Sequence, residues 1–226
     1  MISRNDAEVV SVNSIASGHP WDGFLTGPEN ELAMAAAQAV AAGKYAGVSP
    51  LVIYGPSGVG KSRLLAGLVA EWLRRQCSST VAHLDAQSFA RACSEAAAGP
   101  RGVGWVAFRG RFRSVDLFVL EDIEGLERVP WARGELVHTL NALTTNGAAV
   151  AVSAQSSPAT WVPQSWPCCL VNRLIGGLAV RIAPPALASR RRYVLQYARQ
   201  HNVILKAEAV EELAKAAEKR KESGRR

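Results

Sequence analysis

One stretch of this 226-residue chain decides its fold: Leu51-Val52-Ile53-Tyr54-Gly55-Pro56-Ser57-Gly58-Val59-Gly60-Lys61-Ser62. Its first four residues are apolar and predict a short strand, and Lys61 to Arg75 repeats apolar side chains at helical spacing. The eight residues from Gly55 to Ser62 match the phosphate-loop pattern G-x-x-x-x-G-K-(S/T). Because the motif follows a strand and opens a helix, backbone N–H groups of the loop and helix can cradle an anion.

Each part of the loop has a chemical reason. Glycines allow the tight wrap, the Lys61 ammonium would reach the outer phosphates, and the Ser62 hydroxyl would bind Mg²⁺. We therefore expect ATP or ADP with Mg²⁺ as the ligand. The predicted nucleotide-binding residues are Gly55, Pro56, Ser57, Gly58, Val59, Gly60, Lys61 and Ser62.

Two acids follow a second apolar run and complete the predicted site. Leu117 to Leu120 reads as a buried strand, and Glu121 and Asp122 come directly after it. Successive strand side chains point to opposite faces, so only one of the two carboxylates can face the phosphates squarely. We expect one of them to hold Mg²⁺ with Ser62 and the other to orient an attacking water, and the sequence leaves open which is which.

Apolar strands alternate with helices along the chain. Further strands are predicted at 81–84, 148–153 and 178–182, with helices at 29–42, 135–143 and 188–200. This alternation predicts an α/β fold, a parallel five-stranded sheet with helices on both faces. A strand and a helix separate the phosphate loop from the acid pair, an arrangement of ATP-hydrolysing proteins rather than of simple nucleotide kinases.

Composition excludes several classes of protein. Hydrophobic residues make up 48% of the chain and charged residues 20%, which fits neither disorder nor a fibrous protein. The four cysteines have no metal-ligand spacing, and no apolar run reaches the length of a membrane span. We expect a cytoplasmic protein with reduced cysteines. The whole net charge of +7 lies in residues 181–226, which carry 12 basic and 5 acidic side chains.

Several stretches in order resemble the AAA+ domain of the DnaA family of bacterial replication initiators. They are the adenine-side box Trp21–Asn30, the phosphate loop, the run Phe108–Asp116 into the acid pair, the helix His138–Leu143, and Ala183–Pro185 with Arg190–Leu195. The resemblance implies an N-terminal extension at 1–20, an AAA+ nucleotide-binding domain at 21–185 and a partial helical lid at 186–226. A duplex-reading helix-turn-helix domain follows the lid in that family and has no counterpart here, so duplex DNA binding is not expected of this polypeptide.

The resemblance also assigns residue roles. Arg173 matches the arginine finger that reaches into a neighbouring subunit's ATP site, which implies a homo-oligomer or a DnaA-type AAA+ partner. Ser153 or Gln155 falls in the sensor 1 region, where a polar side chain touches the γ phosphate. Arg225 or Arg226 falls at the start of the sensor 2 element, where an arginine contacts the nucleotide.

A basic and aromatic stretch before the acid pair predicts contacts to single-stranded DNA. Phe108 and Phe112 are interleaved with arginines, a composition suited to binding phosphates and stacking bases. The alternative is a solvated stretch in which Arg113 pairs with Asp116. The three basic residues are Arg109, Arg111 and Arg113.

The function implied is an ATP/ADP switch that oligomerises on origin DNA. The family has Asp where this chain has Glu121, and a carboxylate displaced by one methylene would weaken catalysis more than binding, so we expect ATP binding with slow hydrolysis. Two alternatives share the fold: an Hda-like regulator that acts on DnaA by protein contact, and a DnaC-like helicase loader.

Overall fold

The computed structural model describes residues 20–99 and 102–223, with side chains through residue 216. Five parallel strands form one sheet in the order β2-β3-β4-β1-β5. The strands are β1 Leu51–Tyr54, β2 Val81–Asp85, β3 Leu117–Glu121, β4 Ala149–Ala154 and β5 Leu178–Arg181. The predicted α/β class and the five-stranded parallel sheet are confirmed.

Helices connect the strands and cover both faces of the sheet. They are α1 Glu31–Ala41, α2 Lys61–Arg75, α3 Ala86–Ala98, α4 Val103–Phe112, α5 Pro130–Thr145, α6 Cys168–Ile175, α7 Leu187–Gln200 and α8 Ala207–Ser223. Two short 3-10 turns lie at Ile123–Leu126 and Pro158–Thr160. The helix predicted from Lys61 to Arg75 has those bounds in the structure. No helix among these residues is long and apolar enough to cross a bilayer.

The strands are mostly apolar because the sheet has a packed core on each face. Leu51, Ile53 and Val119 belong to a core shared with α1 and α2. Val52 and Phe118, which alternate with them along the strands, belong to the core shared with α3 to α6. A strand buried on both faces cannot alternate apolar with polar residues, which explains the continuous apolar runs.

Strand order brings the functional motifs to one edge of the sheet. β4 lies between β1 and β3, and all three strands point the same way. The phosphate loop after β1, the acid pair after β3 and the loop after β4 therefore leave the sheet at its carboxyl edge, where ligands of open α/β sheets bind.

A helical pair follows the sheet. α7 and α8 pack against each other, with Ala198, Val210 and Ala214 buried. They occupy the region predicted as a partial lid. Most of the predicted N-terminal extension, and the two arginines assigned to sensor 2, lie outside the described residues.

Candidate functional site

The phosphate loop encloses the side chain of Lys61. Lys61 is the first residue of α2 and only 6% exposed, and its Nζ donates hydrogen bonds to the carbonyls of Gly55 at 2.8 Å and Pro56 at 3.2 Å. Gly60, immediately before the helix, has φ 104°, a backbone conformation that residues with a Cβ rarely adopt. The glycine therefore lets the chain turn directly into α2 with the ammonium inside the loop.

Gly55 is required for a different reason, a close approach of two backbones. A Cβ at this position would stand 2.2 Å from the carbonyl oxygen of Ile182, just beyond the end of β5. The N–H of Ile182 in turn donates to Tyr54 at 2.7 Å. The loop thus begins where β1 and the chain leaving β5 are in direct contact.

Glu121 is the acid that faces the loop. It ends β3 on the face covered by α2, and its carboxylate accepts a hydrogen bond from the Ser62 hydroxyl. A second hydrogen bond joins its Oε1 to Nε2 of His83 at 2.6 Å. Burial by itself would raise the pKa of Glu121, but the hydrogen bonds of His83 and Ser62 outweigh it, so the pKa lies below its usual value.

Asp122 leaves the strand in another direction. Its φ of 49° is in the left-handed region, which Asp tolerates better than most residues, and its side chain is exposed. Its backbone N–H donates to the Ser153 hydroxyl at 2.8 Å. Ser153 is fully buried in β4, so its hydroxyl holds the turn after β3 against the neighbouring strand.

Glu124 is a third acid at this edge that the sequence reading did not select. Its Oε1 accepts a hydrogen bond from the backbone N–H of Gln155, at the start of the loop after β4. Burial is the main cause that raises the pKa of Glu124, and the nearby Asp122 adds to it. Gln155 is therefore tied through its backbone, while its side chain is exposed.

A cavity of about 690 Å³ adjoins the phosphate loop. Its walls are the segment 23–30, the loop residues Gly58–Gly60, the chain at 183–185 and the first turns of α7. Glu29 fastens two of these walls together, because its carboxylate accepts the Ala186 N–H at 2.6 Å and the Ser189 hydroxyl at 2.9 Å. The Ala186 hydrogen bond is the main reason that the pKa of Glu29 lies below its usual value.

Trp21 anchors the same segment to α2. Its ring is 7% exposed, lies over Gly67 and donates from Nε1 to the Leu64 carbonyl at 3.3 Å. Arg63 of α2 donates to the carbonyl of Asp22. The box assigned to the adenine side is thus held by α2 at one end and by α7, through Glu29, at the other.

Arg173 lies at the opposite edge of the sheet from the phosphate loop. It belongs to the last turn of α6, and with Ser49 and Pro50, before the start of β1, it lines a second cavity of about 340 Å³. Its guanidinium donates to Asn141 Oδ1 of α5. Arg173 therefore cannot serve the loop of its own chain, and any contact with a nucleotide would be with that of another copy.

The basic stretch differs from the prediction in two ways. Phe108 and Phe112, one helical turn apart on α4, are 4% and 1% exposed and pack edge to face on Phe89, so they cannot stack on bases. Arg113 pairs with Glu135 of α5, not with Asp116. Asp116 instead accepts hydrogen bonds from the N–H and hydroxyl of Thr80.

The other two arginines of the stretch differ from each other in exposure. Arg109 is exposed, and Arg111 is half-buried with its guanidinium carbon 5.0 Å from the centroid of the Phe112 ring. Of the three predicted DNA contacts, Arg113 is thus paired with Glu135, Arg109 is exposed and Arg111 is half-buried.

The oxygen atoms at the loop fit Mg²⁺. The Ser62 hydroxyl follows Lys61 and interacts with the Glu121 carboxylate, and both groups are the hard oxygen ligands that Mg²⁺ prefers. Among the described residues, no group of three or more His, Cys, Asp or Glu side chains could hold a metal. A site of this kind suits an ion held by one or two side chains and the phosphates of its ligand.

Three features together define an AAA+ domain. The phosphate loop follows β1, the acid Glu121 ends β3 with β4 lying between these two strands, and a small helical pair stands beside the cavity. The sequence model of the Bacterial DnaA ATPase domain matches residues 15–181, and the chain belongs to that family. The predicted resemblance is confirmed.

Individual relatives and solved structures agree with this assignment. The chromosomal replication initiator protein DnaA of Thermomicrobium roseum is 30% identical over 200 residues, covering 88% of this chain and 42% of that protein. Domain III of DnaA from Thermotoga maritima has a TM-score of 0.76 at 23% identity, covering 88% of this chain and 81% of that one. The replication initiator DnaA bound to AMPPCP and single-stranded DNA has a TM-score of 0.78 at 24% identity, covering 89% and 61%.

These likenesses have a defined extent. At such identities the solved structures show the fold. The chain spans about two fifths of the length of the curated relatives it matches.

Proposed function

We propose that this chain binds ATP and ADP with Mg²⁺ and acts as the nucleotide switch of a DnaA-type replication initiator. The observation that carries the proposal is the phosphate loop that encloses the Lys61 ammonium, which is 6% exposed and hydrogen-bonded to the carbonyls of Gly55 and Pro56. The solved relative bound to AMPPCP supports the same ligand class. The AAA+ domain would comprise residues 21–185 and the lid residues 186–226.

Each group at the loop has a role in binding. The N–H groups of the loop and of the first turn of α2 would surround the phosphates, and the Lys61 ammonium would exchange its carbonyl partners for phosphate oxygens. Ser62 and Glu121 would hold Mg²⁺, which screens phosphate charge. The cavity bounded by segment 23–30 and α7 is large enough for the base and ribose.

The bound ATP would be hydrolysed only slowly. Glu121 is committed to Ser62 and His83, which leaves Asp122 as the acid to orient an attacking water. Asp122 is fixed through its backbone while its carboxylate is exposed, and a loosely positioned group contributes less to catalysis. We infer a slow ATPase whose nucleotide state changes rarely.

The switch would act through assembly, with Arg173 reaching the nucleotide of a neighbouring copy. Arg173 lies at the edge of the sheet away from its own loop, and a head-to-tail contact would bring it to the loop of the next subunit. An arginine supplied by a neighbour would distinguish ATP from ADP by the γ phosphate.

Sedimentation with ATP, with ADP and without nucleotide tests this function. We expect larger species only with ATP. Arg173→Ala should abolish them while leaving ATP affinity within about twofold, because the two sites are far apart in one chain. Arg199→Ala, which removes an exposed arginine of α7, is the matched control and should assemble normally.

Two outcomes would contradict the switch. Assembly that is equal in ATP and ADP would remove the nucleotide dependence. Assembly only after addition of a separate DnaA protein would favour the Hda-like regulator, which acts on such a partner. The helicase-loader alternative has less support, because the matching family is that of the DnaA ATPase domain.

Single-stranded DNA would bind at α4 through Arg109 and Arg111. We expect the Arg109→Ala/Arg111→Ala variant to bind oligonucleotides more weakly and to reduce the salt slope by about 1.4, since each phosphate contact on a single strand contributes about 0.7. Fluorescence anisotropy at several salt concentrations measures both quantities. The matched control is Arg199→Ala/Lys206→Ala, which removes two exposed charges near α8. Unchanged binding by the α4 variant would exclude this surface.

A further inference from the structure

His83 contacts the acid Glu121, and the nucleotide-binding motifs do not explain its presence there. It lies on β2, one of the two edge strands of the sheet, and its Nε2 stands 2.6 Å from Oε1 of Glu121 on β3. The two side chains are 21% and 16% exposed, so the contact is largely shielded from water. Such a short contact with a shielded carboxylate constrains the carboxylate's direction.

The strand register explains how the two residues meet. Asp85 pairs with Glu121 across the parallel ladder, and His83 is two residues earlier on the same face. Its imidazole is long enough to reach diagonally toward the end of β3. The Ser62 hydroxyl, at the start of α2 on that face, contacts the same carboxylate.

Two contacts fix a side chain that is otherwise mobile. Glu has one more rotatable bond than Asp, and ordering a long side chain costs up to about 2 kcal/mol. The carboxylate of Glu121 is held between His83 and Ser62 in the structure itself. That cost would then be met on folding rather than when a metal binds.

We propose that His83 is a positioning residue that orients the Glu121 carboxylate toward Ser62 for Mg²⁺. The inference rests on the proposed binding of Mg²⁺ and nucleotide at the phosphate loop. His83 does not itself touch nucleotide or metal in this role. It fixes the carboxylate through Nε2, and losing such a partner typically weakens metal affinity by about 10 to 100-fold.

The test compares two substitutions of different hydrogen-bonding capacity. His83→Phe keeps a ring but removes the polar contact, and His83→Gln keeps a donor at a similar reach. The affinity for a fluorescent ATP analogue is measured at increasing Mg²⁺ concentrations and, separately, in EDTA without Mg²⁺. Melting temperature without ligand checks that each variant folds.

The expected result separates positioning from a purely structural role. In EDTA, the unmodified protein and the two variants should bind the analogue with equal affinity. The Mg²⁺ concentration for half-maximal enhancement should rise about tenfold in His83→Phe, and His83→Gln should restore most of it. Mn²⁺ binding in the presence of ATP, followed by electron paramagnetic resonance, should change in the same order.

Three results would overturn the proposal. Equal Mg²⁺ midpoints in all three proteins would show that His83 does not orient Glu121. Equal weakening with and without Mg²⁺, or failure of His83→Gln to restore the midpoint, would assign His83 to general stability of the sheet edge. No binding of ATP by the unmodified protein would overturn the nucleotide proposal together with this one, whereas normal binding with unaltered midpoints would overturn this one alone.

Discussion

Replacing Lys61 by Ala should remove tight ATP binding while leaving the fold intact. The ammonium is enclosed by the loop and bonded to the carbonyls of Gly55 and Pro56, where phosphate oxygens would take over. Hydrogen bonds to charged groups contribute about 1.5 to 3 kcal/mol, so we expect the dissociation constant to rise by about 10 to 150-fold. Isothermal titration calorimetry with ATP and Mg²⁺ measures the change.

The control for this variant is Lys44→Ala. Lys44 is an exposed lysine on the connection between α1 and β1, so the substitution makes the same chemical change away from the loop. It should bind ATP as the unmodified chain does. ATP should also raise the melting temperature of the unmodified and Lys44→Ala proteins but not of Lys61→Ala. If Lys61→Ala bound ATP with undiminished affinity, the loop would not be the phosphate site.

Replacing Gly67 by Ala should destabilise the protein although it improves helix propensity. The substitution favours α2 by about 1 kcal/mol, but the new Cβ would stand 2.1 Å from two atoms of the Trp21 ring. A shift of a few tenths of an ångström cannot relieve that overlap, so the ring must leave its site. Loss of a buried Trp side chain costs about 3 to 5 kcal/mol, which exceeds the helical gain.

The net expectation for Gly67→Ala is a loss of about 2 kcal/mol or more in the free energy of unfolding, measured by urea denaturation. Gly134→Ala is the matched control, because Gly134 lies in helix α5 and a Cβ there meets nothing within 4 Å. That variant should gain up to about 1 kcal/mol. In a Trp21→Ala background, Gly67→Ala should no longer destabilise, and a persistent loss would show that Trp21 is not the cause.

The packing of Trp21 on Gly67 affects both the stability of the fold and the proposed nucleotide site. Trp21 begins the segment that forms one wall of the 690 Å³ cavity, and Glu29 ties that segment to α7. Displacing the ring should therefore weaken ATP binding as well as folding. Lys61→Ala removes binding alone, so the two variants separate the phosphate contact from the wall of the cavity.

Local pattern was enough to predict much of the molecule. The loop Gly55–Ser62, the helix beginning at Lys61 and the apolar strands depend on neighbouring residues in sequence, whose spacing sets their conformation. A strand with apolar residues at every position is buried on both faces whatever lies next to it, so a parallel sheet followed from the pattern.

The contacts between elements required the tertiary structure. Phe108 and Phe112 alternate with basic residues in sequence, but helical geometry places them on one face and buries them against Phe89. Arg113, at the end of α4, pairs with Glu135 of α5 instead of with Asp116, its near neighbour in sequence. Helix formation in this stretch, which the sequence reading missed, determines both outcomes.

The acid pair illustrates what each level determined. The sequence by itself established that a phosphate loop and two carboxylates follow buried parallel strands, because strand ends and glycine spacing are local. Only the tertiary structure decided that Glu121 faces Ser62, that Asp122 turns away, and that His83 contacts the Glu121 carboxylate. Strand order and the rotation of each strand about its axis depend on how the helices pack, and no local spacing encodes them.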